Sequence, residues 1–266
     1  MYRRGGDSLQ GRFHSYRLHP LSLPELGGGD DALRQLLRFG GFPEPLLRAN
    51  DRHWRRWQRE RHDRIVRDDV RDLERVRELS LVEVLIDALP ARVGSPLSVK
   101  NLREDLEVAH DTAERWLSIL ENLYVCFRIA PFGAPRIRAV KKEQKLYLWD
   151  WSAVPDPGPR FENMVASHLL KLCHFLEDTQ GHRMELRFLR DTDKREVDFV
   201  VLRDRSPWFA VEAKTGERSV SPAIRYFKER TRIPHWYQVH LGRKDVVVDG
   251  VRLLPFGTLC AEVGVP

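Results

Sequence analysis

In "REVDFVVLRDRSPWFAVEAKTGE", residues 195–217, Asp198 heads one apolar run, and Glu212 and Lys214 close the next. Two carboxylates brought together make a hard-oxygen site suited to Mg²⁺ or Mn²⁺. A lysine beside them can orient an attacking water and stabilise charge developing on a phosphate. Residues two apart on a strand share a face, so Glu212 and Lys214 point the same way while Val211 and Ala213 face a core. On the preceding strand Val197, Phe199 and Val201 form the expected buried set, which puts Asp198 on the other face. Pairing of strands 196–203 and 208–214 through "DRSP" would bring Asp198 and Glu212 to the same sheet edge. The candidate catalytic set is therefore Asp198, Glu212 and Lys214, with Asp198 and Glu212 as metal ligands. Glu162, expected in the first turn of the preceding helix, is a candidate third carboxylate. The spacing is degenerate, and the bland alternative is a trio of solvated charges on the wet edge of a hairpin.

The elements that must position these groups read as an α/β chain. The sequence between the prolines of "WSAVPDPGPR" (151–160) and the C-terminus predicts a helix from Phe161 to about Asp178. Strands follow near 184–190, 196–203 and 208–214, then a helix near 221–230, a strand at 235–241 and a β-rich ending. Upstream, "LSLVEVLIDALPARV" predicts a helix ended by Pro90 and Gly94, and "SVKNLREDLEV" a short helix with Leu102 and Leu106 inward. "DTAERWLSILENLY" predicts a third helix, opened by a capping box of Asp111 and Glu114 and buried along Ala113, Trp116, Leu117, Leu120 and Tyr124. Two strands, "VCFRIA" and "KLYLWD", complete the order of a winged helix-turn-helix. There Thr112, Arg115, Ser118 and Asn122 would lie on the outer face of the recognition helix, and Arg136, Arg138, Lys141 and Lys142 in the wing. That arrangement suits phosphate contact and groove reading in DNA. Glu114 and Glu121 dilute the positive face, and a spacer that only packs between domains is the competing reading.

Ahead of this module, "GGGDD" (27–31) precedes a helix through Leu33, Leu36 and Leu37. The two Gly and two Pro of "GGFPEP" (40–45) are expected to exclude regular structure. Residues 51–78 predict one long charged helix or two, with charges of alternating sign. The expected division is 1–40 as the end of a preceding module and a linker, 41–80 as a charged helical segment, 81–150 as the winged helix and 151–266 as a mixed-sheet domain.

Composition sets the outer bounds. Across 266 residues, 42% hydrophobic content is enough for real cores, and 32% charged with a formal net charge of +6 points to local basic patches. Cys126, Cys173 and Cys260 sit far apart in apolar settings and read as buried reduced thiols, which makes the cytoplasm the default compartment. No stretch of about 18 apolar residues predicts a membrane span.

The helix–strand–strand–strand–helix–strand order with Glu162, Asp198, Glu212 and Lys214 resembles the restriction-endonuclease-like, PD-(D/E)xK, fold. Val197 stands where the motif's proline would be. More widely, "GRFHSYRLHPLSLPEL", "GGFPEPLL", "IVRDDVRDLERV", "RWLSILENLYVCFRIAPF", "FENMVASHLLK" and "EVDFVV…AVEAKTG" follow one another as in prokaryotic AAA-type ATPases that carry a C-terminal domain of unknown function (number 4143). That resemblance implies an ATPase module, then a winged helix, then a nuclease-like domain. The chain departs from it in having no G-x-x-x-x-G-K-[ST], so ATP binding and hydrolysis through that module are not expected. Residues 1–26 look like the module's last strand and exit. Three functional readings stand at this point. The first is a DNA-binding protein with a metal-dependent phosphodiesterase site. The second is a non-catalytic module that binds DNA, a protein partner or a second copy of itself. The third is the C-terminal portion of an AAA-type ATPase whose output depends on the missing module.

Overall fold

The computed structural model describes residues 13–66, 79–133 and 144–266. Among them it forms nine helices and a nine-stranded mixed sheet.

The N-terminal part is helical: α1 (Gly29–Phe39), α2 (Pro43–Arg48), α3 (Asp51–Arg64) and α4 (Leu79–Ala88). The expectation that "GGFPEP" excludes regular structure fails. Gly40 terminates α1 at φ 78°, and Pro43 then opens α2, because the first N–H groups of a helix need no partner within it. The short strand β1 (Pro96–Leu97) leads to α5 (Val99–Asp105) and α6 (His110–Asn122), then to β2 (Cys126–Pro131) and β3 (Gln144–Leu148). β3 pairs antiparallel with both β1 and β2, which gives the helix–strand–helix–helix–strand–strand arrangement of a winged helix.

Two details of α6 differ from expectation. Its N-cap is Ala109, with no side-chain cap, so the Asp111–Glu114 capping box does not form; Glu114 instead pairs with Arg128 of β2. Ala113, Trp116, Leu117 and Leu120 are buried as their spacing requires, but Tyr124 is 55% exposed. The helix has already ended at Asn122, and a φ of 54° turns Tyr124 outward while Val125 takes the buried position.

Next, α7 (Pro157–Gln180) runs for 24 residues, starting four residues before the expected Phe161 because Pro157 occupies the first helical position. It is followed by β4 (Met184–Arg190), β5 (Glu196–Arg203), β6 (Ser206–Lys214), α8 (Pro222–Arg230), β7 (His235–His240), β8 (Val246–Val248) and β9 (Val251–Pro255). The β-rich ending expected over 246–260 holds as β8 and β9 up to Pro255, after which the chain forms α9 (Phe256–Val263); Phe256, Leu259, Cys260 and Val263 recur at helical spacing and are all buried.

The strand order is β1-β3-β2-β4-β5-β6-β7-β9-β8. β2 meets β4 in parallel, at Ala130↔Arg187 and Pro131↔Phe188, so one continuous sheet crosses the proline-rich segment at 151–160. The main core lies between this sheet and α7, α9 and the N-terminal helices. A second cluster, including Val200, Ala210, Ile224, Phe227 and Trp236, lies under α8. The three cysteines are free and buried. Among the described residues no helix is long and apolar enough to cross a membrane.

Candidate functional site

The hairpin of β5 and β6 pairs from Arg203↔Ser206 to Phe199↔Val211, with one register shift between Leu202↔Pro207 and Val201↔Phe209. Beyond Phe199 the backbone ladder gives way to side chains. The Ala213 N–H donates to Asp198 Oδ2 at 2.9 Å, and the Asp198 N–H donates to Glu212 Oε2 at 3.3 Å. Two carboxylates thus fill the mouth where the strands part.

The expected face assignment of β5 is corrected by a β-bulge. Leu189 stands opposite Val197 and Arg187 opposite Val200, so two residues, Asp198 and Phe199, face the single Phe188. The extra residue moves Val197 into the cluster under α8, while Phe199 and Val201 remain in the main core. Nor are the acids solvated edge charges: Asp198 is 8% and Glu212 4% exposed, because helices cover both faces of this central strand pair. Lys214 Nζ lies 2.6 Å from Glu212 Oε1, in keeping with their shared face.

Glu162, in the second turn of α7 rather than the first, joins the cluster through residues that the motif does not contain. Lys145 of β3, fully buried, places its Nζ 3.0 Å from Glu162 Oε1, 2.6 Å from Glu196 Oε1 and 3.3 Å from Asp198 Oδ1. Tyr147, two residues on and on the same face of β3, donates its hydroxyl to Glu162 Oε1 at 2.8 Å. Asn163 docks β3 on the helix by two hydrogen bonds to one residue: its side chain accepts from the Leu148 N–H and donates to the Leu148 carbonyl. Gly94 lies beside the cluster in the loop after α4, donating its N–H to the Leu146 carbonyl, and the Glu162 carboxylate takes the space that a side chain at this position would need. Glu196 is held from its other side by Arg190 Nη1 at 2.7 Å. Lys145, Tyr147 and Glu196 were not singled out from sequence. The available signal was a lysine alternating with aromatic residues in the apolar strand "KLYLWD".

The charges are crowded. Burial pushes the Glu212 carboxyl up to about 8, with the Asp198 charge adding to it, and Lys214 and the Asp198 N–H acting against the rise. Glu162 is pushed up to about 7 by burial and then by Asp198, against the pull of Lys145 and Tyr147. Burial alone would favour neutral Lys145, but Asp198, Glu162 and Glu196 outweigh it and hold the ammonium well above the usual lysine range. Lys214 is also raised: Glu212 overcomes the effect of burial.

A divalent cation needs several oxygens free to converge on one point. Here both oxygens of Asp198 and both of Glu212 already accept from protein donors, and Glu162 Oε1 accepts from two. Among the described residues no three acidic, histidine or cysteine side chains form a group that could hold a metal. The residues as arranged therefore do not fit a resident Mg²⁺ or Mn²⁺: an ammonium stands among the carboxylates in its place.

The DNA-facing candidates lie apart from this cluster. Arg115, Ser118 and Asn122 are exposed on α6 and Thr112 is half-buried; the Ser118 hydroxyl donates to the Glu114 carbonyl at 2.9 Å. Arg136, Arg138, Lys141 and Lys142 lie outside the described residues. The two acids expected to oppose a polyanion are both engaged. Arg128 donates through Nε and Nη2 to Glu121, at 2.9 Å each, and through Nη1 to Glu114 at 2.9 Å.

No curated protein and no solved structure matches the chain. Two family models do: residues 30–154 match the Domain of unknown function (DUF8612), and residues 157–259 match the Domain of unknown function (DUF4143). The first match ends just before the proline-rich segment and the second begins within it, so the chain is similar to one such domain and then to the other.

Proposed function

We propose that the protein binds DNA through its winged helix, and that a restriction-endonuclease-like C-terminal domain serves it as a non-catalytic scaffold. The observation that carries this reading is Lys145, whose ammonium meets three carboxylates of the nuclease-like cluster from within the fold. DNA binding is supported by the winged-helix order, by the polar outer face of α6 and by the clamp of Arg128 on Glu114 and Glu121, which offsets one of the two negative charges that would repel phosphate. The formal net charge of +6 acts in the same direction.

One observation favours the competing reading, a metal-dependent phosphodiesterase using Asp198, Glu212, Lys214 and Glu162. Four carboxylates, Glu162, Glu196, Asp198 and Glu212, meet the two ammonium groups of Lys145 and Lys214, and burial followed by the Asp198 charge raises Glu162 and Glu212. A single set of assays separates the two. Under the scaffold reading, the protein binds duplex DNA with an affinity that falls steeply with salt, and Arg115→Ala with Asn122→Ala weakens it. Incubation of plasmid or single-stranded DNA with Mg²⁺ or Mn²⁺ then gives no more cleavage than Asp198→Ala or Lys214→Ala controls. Cleavage lost in both controls would establish the phosphodiesterase instead.

A further inference from the structure

We infer that Lys145 is a tethered counter-ion: the N-terminal half of the chain supplies, as a side-chain ammonium, the positive charge that a divalent cation would otherwise bring to the carboxylate cluster. This deepens the scaffold reading above and rests on the same cluster being nuclease-like.

Three features carry the inference. First, the contact is many-sided: Nζ lies within 3.3 Å of Glu162, Glu196 and Asp198, which come from α7 and β5, whereas Lys145 comes from β3. A lysine that merely pairs with one acid does not bridge two elements in this way. Second, the position is built. Asn163 grips β3 at Leu148, Gly94 grips it at Leu146, and Tyr147 shares Glu162 Oε1 with the lysine, so the side chain enters from a strand held on several sides. Third, the lysine is closed off from solvent. It is fully buried, and the ring of Phe188 lies 5.7 Å from Nζ to the ring centre. A buried ammonium is costly unless it is paired, and so are the buried acids; each offsets the other only while both are present.

The consequence is specific. With the ammonium in place a dication would sit a few ångströms from a like charge. Removing that charge turns the same oxygens into an attractive site.

The test uses the full chain and Mn²⁺ alone, with free Mn²⁺ followed by electron paramagnetic resonance. Four proteins are compared: wild type, Asp198→Asn, Lys145→Gln, and Lys145→Gln with Asp198→Asn. The wild type should take up no Mn²⁺ that depends on Asp198. Lys145→Gln should bind one equivalent at least about 100-fold more tightly, and adding Asp198→Asn should abolish that binding. A wild-type equivalent that disappears in Asp198→Asn overturns the inference, as does a folded Lys145→Gln that binds no better than wild type. Circular dichroism reads the fold in the same samples. A Lys145→Gln chain that folds only with Mn²⁺ present supports the inference, and one that stays unfolded with Mn²⁺ counts against it. DNA binding measured on the same wild-type sample keeps the two claims apart, since its loss defeats the DNA-binding function and leaves the Mn²⁺ result standing.

Discussion

Glu162→Gln is the perturbation that most directly probes the crowded cluster. Glu162 Oε1 accepts from both Lys145 and Tyr147. A glutamine can keep its carbonyl there and place its amide where the other carboxylate oxygen was, so the substitution removes a charge with little loss of bonding. Carrying this carboxyl from its ordinary 4.5 to about 7 corresponds to roughly 3 kcal/mol. Below pH 4.5 the group is protonated folded and unfolded, and costs nothing. Above about 7 it is ionised in both states, and the folded state bears the full penalty. Its contribution to wild-type stability therefore falls as pH rises through this window. Glutamine has no such term. The stability of Glu162→Gln relative to wild type should thus improve by about 2–3 kcal/mol between pH 5 and pH 8. Urea unfolding of both proteins at pH 5, 6, 7 and 8 measures that difference, and titrations shared by the two proteins cancel from it. A difference that stays constant across the series would mean that Glu162 behaves as an ordinary solvated carboxylate, and the account of a closed, over-acidic cluster would be refuted.

Arg128→Met should release Glu114 and Glu121 from their clamp and weaken DNA binding about tenfold at low salt, with the deficit shrinking as salt rises; fluorescence anisotropy across a salt series reads both effects. Gly94→Ala should destabilise the fold by about 1–3 kcal/mol in urea unfolding, since Gly94 has a φ of 75° and a new Cβ would meet Glu162 Oε2 at 3.0 Å.

The hairpin that holds Asp198, Glu212 and Lys214 was legible because strand alternation is local. The shared face of Glu212 and Lys214 follows from their separation by two residues, and the turn residues Asp204 and Arg205 bring the strands together. The α6 stripe was legible for the same reason, up to the residue at which the helix ends. What was not legible depends on contacts made at long range or on insertions into a ladder. The bulge at Asp198 and Phe199 is a mismatch between two strands, and neither strand shows it alone. Lys145 reaches Asp198 across 53 positions of sequence, and the parallel junction of β2 with β4 and the docking of β3 on α7 make them neighbours. The prolines of 43–45 and 155–159 read as breaks because the rule applied was that of helix interiors, whereas Pro43 and Pro157 both start helices.

The junction of β2 with β4 bears on where this chain can be divided. The two matched domains meet at residues 154 and 157, yet that border is not a mechanical seam. Cutting there would strip β4 of its neighbour and leave its outer backbone groups open to strand addition by other molecules. It would also carry Lys145 and Tyr147 away with one fragment and leave Glu162, Glu196 and Asp198 in the other. The two halves share one buried charge cluster, so a substitution in either is constrained by the charges of both. Two family matches divide the sequence, and one buried charge cluster spans the division.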